Sequence, residues 1–211
     1  MSYLLRFDGA CRGNPGEGGS AAVIYKDNEI IDKCYYYHPK TVTNNIAEYY
    51  GLLGGLNMCI EKGYDNIFVE GDSKLVIEQV FGKWKTRHKN LIPLNNQINK
   101  IKKLFVSIYG KWIPREKNGD ADEYSNIAIN KKNSIGEKWF YIDNNIIDNN
   151  INNINNINNN NNNKKIKQKN ITEFFNVNIN ENKSNDFIPK QKNTLMNYFT
   201  VIKNTKKNTS I

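Results

Sequence analysis

The chain has 211 residues, with 30 Lys and Arg against 21 Asp and Glu, a formal charge of +9. That length fits one domain, or one domain with a tail, and the basic excess points weakly toward a polyanionic partner. Three cysteines (Cys11, Cys34 and Cys59), none in a CxxC pair, cannot form a closed disulfide framework and argue against a Cys-based zinc site. No apolar run approaches the ~18–20 residues needed to cross a bilayer. The first eight residues carry no basic segment followed by a long apolar one, so an intracellular, soluble chain with no membrane partner is expected.

In chain order, residues 3–8 (YLLRFD) read as a buried strand ending in a carboxylate. A Gly-rich stretch follows (Gly9, Gly13, Gly16, Gly18, Gly19) and reads as a loop. Residues 20–25 and 29–37 read as two strands around an Asp27-Asn28 turn, completing an antiparallel meander. Residues 44–60 have helical spacing, with Ile46, Leu52, Leu53, Leu56 and Ile60 on the apolar side and Gly51, Gly54 and Gly55 permitting close packing. Residues 66–70 form a short buried strand and 74–80 a short helix. Residues 91–103 form a helix that tolerates Pro93 in its first turn. Residues 104–109 read as a fifth strand, and 121–130 as a last helix capped by Asp120. Strands joined through helices run parallel. The fold class is therefore α/β, a mixed five-stranded sheet (three antiparallel plus two parallel strands) with helices on both faces.

Composition breaks near residue 142. Residues 143–163 contain only 14 Asn, 5 Ile and 2 Asp, a tract without a sequence-specified core. The expected organisation is a folded domain over 1–142, an Asn-rich disordered linker over 143–163, and a basic tail over 164–211. Residues 1–142 carry 20 basic and 16 acidic side chains, and 143–211 carry 10 and 5. About half of the basic excess thus lies outside the domain.

Four acids fall at strand ends or helix starts: Asp8 ends the first strand, Asp72 follows the fourth, and Glu48 and Asp122 lie early in the first and last long helices. If strands one and four are neighbours, Asp8 and Asp72 sit side by side, and like charges that close are costly unless cations hold them. All-oxygen ligands select a hard ion such as Mg²⁺ or Mn²⁺, and a pair of such ions can clamp a phosphodiester. Four unrelated surface acids would show the same placement, since acids are common at helix N-termini.

Four segments, FDGACRGNPG (7–16), TNNIAEYYGLLGGL (43–56), VEGDSKLVIEQVFGKWK (69–85) and REKNGDADEYSNIA (115–128), stand in an order and spacing that resemble the type 1 ribonuclease H family. The resemblance implies the ribonuclease H fold and cleavage of RNA within RNA–DNA hybrids, leaving 5′-phosphate and 3′-hydroxyl ends. It carries the family's metal-site carboxylates onto Asp8, Glu48, Asp72 and Asp122, with Asp8 shared between two Mg²⁺ (Mn²⁺ possible), Glu48 and Asp72 completing one site and Asp122 the other. It also implies substrate contacts: Asn14, Asn44 and Asn45 toward sugars and bases of the shallow minor groove, and Thr43 near a DNA-strand phosphate. In GKWKTRHK (82–89), Trp84 and Lys85 lie in a basic, aromatic stretch suited to the DNA strand. One departure stands out. Many family members carry a His in the loop before the last carboxylate, and residues 110–115 contain none.

The tail contains Gln168-Lys-Asn-Ile171-Thr-Glu-Phe174-Phe175, which resembles a PIP box, the sliding-clamp interaction motif. A single 3₁₀ turn would bring Ile171, Phe174 and Phe175 into one hydrophobic cleft, with Gln168 in a small pocket. A second, poorer copy (Leu195, Tyr198, Phe199) has Lys192 in place of Gln. The expected protein is a monomeric, Mg²⁺-dependent endoribonuclease on RNA–DNA hybrids, acting at sites of DNA replication. A non-catalytic hybrid- or clamp-binding adaptor, and a related nuclease for double-stranded RNA or junctions, are the competing readings.

Overall fold

The computed structural model describes residues 1–141; the linker and the tail, including Gln168, Ile171, Phe174 and Phe175, lie outside the described residues. Five strands make one sheet: β1 (Tyr3–Gly13), β2 (Gly16–Lys26), β3 (Glu29–Val42), β4 (Asn66–Gly71) and β5 (Ser107–Trp112). Their spatial order is β3-β2-β1-β4-β5. The pairs β1–β2 and β2–β3 are antiparallel, whereas β1–β4 and β4–β5 are parallel. The helices are α1 (Asn44–Glu61), α2 (Lys74–Val80), α3 (Ile92–Lys102) and α4 (Gly119–Lys131). The expected mixed sheet is therefore the observed one.

Alternation along β2 divides the two faces. Ala22 meets Gly55 of α1, and Ser20 donates to the Ala47 carbonyl of α1 at 2.6 Å. The intervening Ala21 packs with Ala128 of α4, and Val23 packs with Ala121 of α4. Helices thus cover both faces, and β1 runs between them as the central strand.

Three boundaries differ from the sequence reading. The Gly-rich stretch is not a loop: β1 and β2 continue through it to the pair Gly13–Gly16, leaving only Asn14 and Pro15 at the tip. Gly13 takes a positive φ beside the tip, whereas Gly9 and Gly19 serve packing. A Cβ on Gly9 would lie 2.0 Å from the Glu48 nitrogen, and one on Gly19 would lie 2.1 Å from the Ser125 carbonyl oxygen. The fifth strand runs from Ser107 to Trp112, not over 104–109. Leu104 and Phe105 are apolar because they are buried in the turn closing α3, not because they are paired. The last helix starts at Gly119, and its N-cap residue is Asn118. Asp120, the expected cap, lies in the first turn and accepts a hydrogen bond from the Tyr25 hydroxyl at 2.6 Å. The Asp27-Asn28 turn forms as read, with both residues at positive φ, as a two-residue hairpin of this twist requires.

The described chain closes back on the fold. Ile135 bridges Tyr35 of β3, and Phe140 is buried against Gly54 and stacks on Tyr36 at 5.3 Å.

Candidate active site beside the central strand

Parallel pairing brings the middle of β1 beside the end of β4, with Phe7 opposite Gly71. Asp8 and Asp72 each follow those residues directly. Two close approaches bring Glu48 to them. Gly9 lets α1 settle onto β1, and Gly51, one turn further along α1, lies where a Cβ would be 2.5 Å from the Asp8 carbonyl oxygen. As a result Asp8, Glu48 and Asp72 each offer a carboxylate oxygen, and these atoms all lie within 4.8 Å of one another.

The electrostatics follow from burial. Asp8 is 4% exposed and Glu48 is 5% exposed. Desolvation, together with Asp72 and Asp122 nearby, raises the Asp8 carboxyl to about 6, against the opposing hydrogen bond from Ser125. Burial and then the Asp8 and Asp72 charges push Glu48 well above the usual carboxylate range. Glu48 Oε2 is buried without a hydrogen-bond partner. A buried carboxyl with an idle oxygen, next to two other carboxyls, is a donor set that could hold a divalent cation.

Asp122, in the first turn of α4, is beside this trio but outside it. Its carboxylate pairs with the Arg115 guanidinium and also accepts from Asn126 Nδ2 at 3.1 Å. The Arg115 charge reaches Asp8 as well, where it lowers the carboxyl.

Three supporting residues received no role from sequence. Ser125 donates to Asp8 Oδ2 at 2.5 Å. Asn118 Nδ2 donates to Asp72 Oδ1 at 2.6 Å. Trp112 Nε1 donates to the Asp72 carbonyl at 3.0 Å. A signal for Ser125 was present, because Asp122 and Ser125 are spaced i, i+3 and so share a helix face.

The other expected contact residues are dispersed over neighbouring loops. Asn14, at the β1–β2 tip, accepts the Asn44 backbone N–H on its Oδ1 at 3.1 Å, joining the hairpin to the start of α1. Thr43 is the N-cap of α1, its side chain accepting from the Ile46 N–H. Asn45 is exposed on the first turn of α1. Trp84 is 50% exposed and Lys85 is exposed, both between α2 and α3.

A sheet of this order with a carboxylate trio beside the middle of its central strand defines the ribonuclease H-like class. The family model described as "Reverse transcriptase-like" matches residues 6–128, and the chain belongs to that ribonuclease H-like family. It is similar to the bifunctional protein Rv2228c of Mycobacterium tuberculosis, 37% identical over 130 residues that cover 61% of this chain and 36% of that protein. The chain thus spans about a third of the length of that curated relative. The solved N-terminal RNase H domain of Rv2228c, a fusion with maltose binding protein, superposes with a TM-score of 0.59 at 35% identity, covering 62% of this chain and 94% of that one. Ribonuclease HI of Halobacterium salinarum is 30% identical over 131 residues, 58% of this chain and 62% of that protein. LC11-RNase H1, solved in complex with an RNA/DNA hybrid, matches with a TM-score of 0.57 at 34% identity, over 62% of this chain and 98% of that one.

Proposed function

We propose that the chain is an endoribonuclease that hydrolyses the RNA strand of RNA–DNA hybrids, using divalent cations held by Asp8, Glu48, Asp72 and Asp122. The observation that carries this reading is the trio of carboxylate oxygens within 4.8 Å of one another where β1 pairs with the end of β4, in a chain similar to LC11-RNase H1, whose solved complex holds a hybrid.

The residues present fit Mg²⁺ or Mn²⁺. The ligands are all hard oxygens, one of them is buried and unpartnered, and their mutual repulsion is relieved only by protonation or by a cation. A bound divalent ion supplies Lewis acidity toward a water and charge neutralisation at the phosphodiester. Asp8, whose Oδ2 accepts from the Ser125 hydroxyl, would be one of the cation's ligands. Glu48 and Asp72 flank it, and Asp122 stands on the α4 side with Arg115 as its counter-charge. Asn14 and the residues 43–45 are linked through the Asn14–Asn44 bond, so one rigid edge presents short polar groups to a shallow groove lined with 2′-hydroxyls. Lys85 and its basic neighbours meet the DNA strand, with Trp84 as the aromatic surface.

The test is cleavage of an end-labelled hybrid with and without Mg²⁺, beside double-stranded RNA and duplex DNA. Cleavage confined to the RNA of the hybrid is expected. Intact hybrid under all metal conditions would sink the assignment. The same reading extends to the tail: a segment containing Gln168, Ile171, Phe174 and Phe175 tethers a 1–142 domain to a sliding clamp through a 143–163 linker, raising its effective concentration at replicating DNA. A peptide spanning 164–180 titrated against a sliding clamp tests this. Absence of binding at about 100 µM, weaker than a useful tether needs, removes it.

A further inference from the structure

The geometry points to Asn118 as the residue that positions the Asp72 carboxylate and so sets the spacing of the cation pocket; this rests on the nuclease reading above. Asn118 is fully buried immediately before α4. Its Nδ2 donates two hydrogen bonds, to the Phe7 carbonyl at 2.9 Å and to Asp72 Oδ1 at 2.6 Å. Phe7 directly precedes Asp8. One planar amide therefore ties the middle of β1 to the residue that follows β4, and it engages one oxygen of the Asp72 carboxylate. The main chain of the same residue secures a third element. Its carbonyl accepts the Asp122 N–H at 3.1 Å, and its own N–H donates to the Arg115 carbonyl at 2.9 Å. Asn118 thus touches Asp72 itself and the backbone that places Asp8 and Asp122.

The other end of the amide separates this role from simple helix capping. Asn118 Oδ1 is buried without a hydrogen-bond partner. A capping Asn would direct that oxygen at the first N–H groups of the helix, and Asn118 makes no side-chain cap bond. Turning the amide over would aim its oxygen at two acceptors, the Phe7 carbonyl and the Asp72 carboxylate. The orientation is therefore dictated by the two acceptors, at the expense of an idle carbonyl in the interior. Polar groups behind a metal-binding carboxylate fix its rotamer in this way, and their removal loosens the ion.

The experiment uses the full chain, Mn²⁺ alone as the probe of the pocket, and steady-state cleavage of a hybrid. Asn118→Ala should bind Mn²⁺ about 10-fold or more weakly and lose kcat by a similar factor, with KM for the hybrid changed by no more than about 2-fold. A folded Asn118→Ala with the Mn²⁺ affinity and kcat of the unsubstituted protein overturns the proposal, even if its melting temperature falls. An unsubstituted chain that neither binds Mn²⁺ nor cleaves hybrid overturns the nuclease reading, and this proposal with it. Should Asn118→Ala not fold, the side-chain amide protons of Asn118 are read by NMR in the unsubstituted protein. Slow solvent exchange and a shift on adding Mg²⁺ support the role; fast exchange and indifference to Mg²⁺ overturn it.

Discussion

Replacing Asp8 by Asn should make the metal-free protein more stable, although Asp8 lies at the centre of the proposed chemistry. The Asp8 carboxyl rises from 3.8 to about 6, first through desolvation and then through Asp72 and Asp122. An acid whose folded pKa lies above its unfolded value binds more protons when folded between those two values, so stability falls as pH rises from about 4 to about 6 and stays lowered above. At about 1.4 kcal/mol per unit, the ionised carboxylate costs the apo fold about 3 kcal/mol at pH 7. Asn has the same shape, cannot ionise, and keeps an oxygen to accept the Ser125 hydroxyl, now 2.5 Å from Asp8 Oδ2. The assay is urea unfolding in EDTA at pH 7 and again near pH 4. The variant should gain up to about 3 kcal/mol at pH 7 and almost nothing near pH 4. Saturating Mg²⁺ should restore the unsubstituted protein alone, by about 2.7 kcal/mol at one hundred times its dissociation constant. An Asp8→Asn protein no more stable than its parent at pH 7 in EDTA would refute the claim that repulsion and burial are stored in this pocket.

Other outcomes are equally specific. His38 is buried, bonded to the Ser20 hydroxyl at 2.7 Å, and held neutral by desolvation down to about 3. A base depressed in the fold is protonated first in the unfolded chain. Stability should therefore fall by about 1.4 kcal/mol per unit as pH drops from about 6.5 toward 3, and His38→Gln should flatten that slope in acid denaturation. Gly9→Ala forces a methyl to 2.0 Å from the Glu48 nitrogen, and should cost at least about 1–3 kcal/mol by thermal unfolding and weaken divalent binding by moving α1 off β1. Phe140→Ala empties the contact with Gly54 and Tyr36 and should cost about 3–5 kcal/mol, showing that residues up to 141 belong to the folded unit.

The strands and helices were legible because each leaves a local trace, alternation or apolar spacing; Asp8, read as ending the first strand, instead lies within β1, which continues to Gly13. What escaped was nonlocal. Leu104 and Phe105 read as strand because an apolar pair looks alike whether it enters a sheet or fills a turn beneath a helix. Gly9, Gly18 and Gly19 read as a loop because the sequence does not say whether a missing side chain serves chain reversal or the approach of another backbone. Asn118 and Ser125 read as ordinary polar residues near a helix start, since their partners are more than 40 positions away in the case of Asp72 and more than 100 in the cases of Phe7 and Asp8. Convergence of three carboxylates could be expected only conditionally, because it required β1 and β4 to be neighbours, which pairing decides.

The seam where Gly9 and Gly51 let α1 rest on β1 would bear on metal choice in the proposed cation pocket. Side chains that meet through rotamers can breathe to suit ions of different radius, but here the main chains themselves are in contact, and there is little slack to redistribute. The distance between Glu48 and Asp8 is thus a dimension of the scaffold. Discrimination among divalent ions at this pocket would be altered more readily by reshaping that glycine seam than by exchanging one acidic ligand for another.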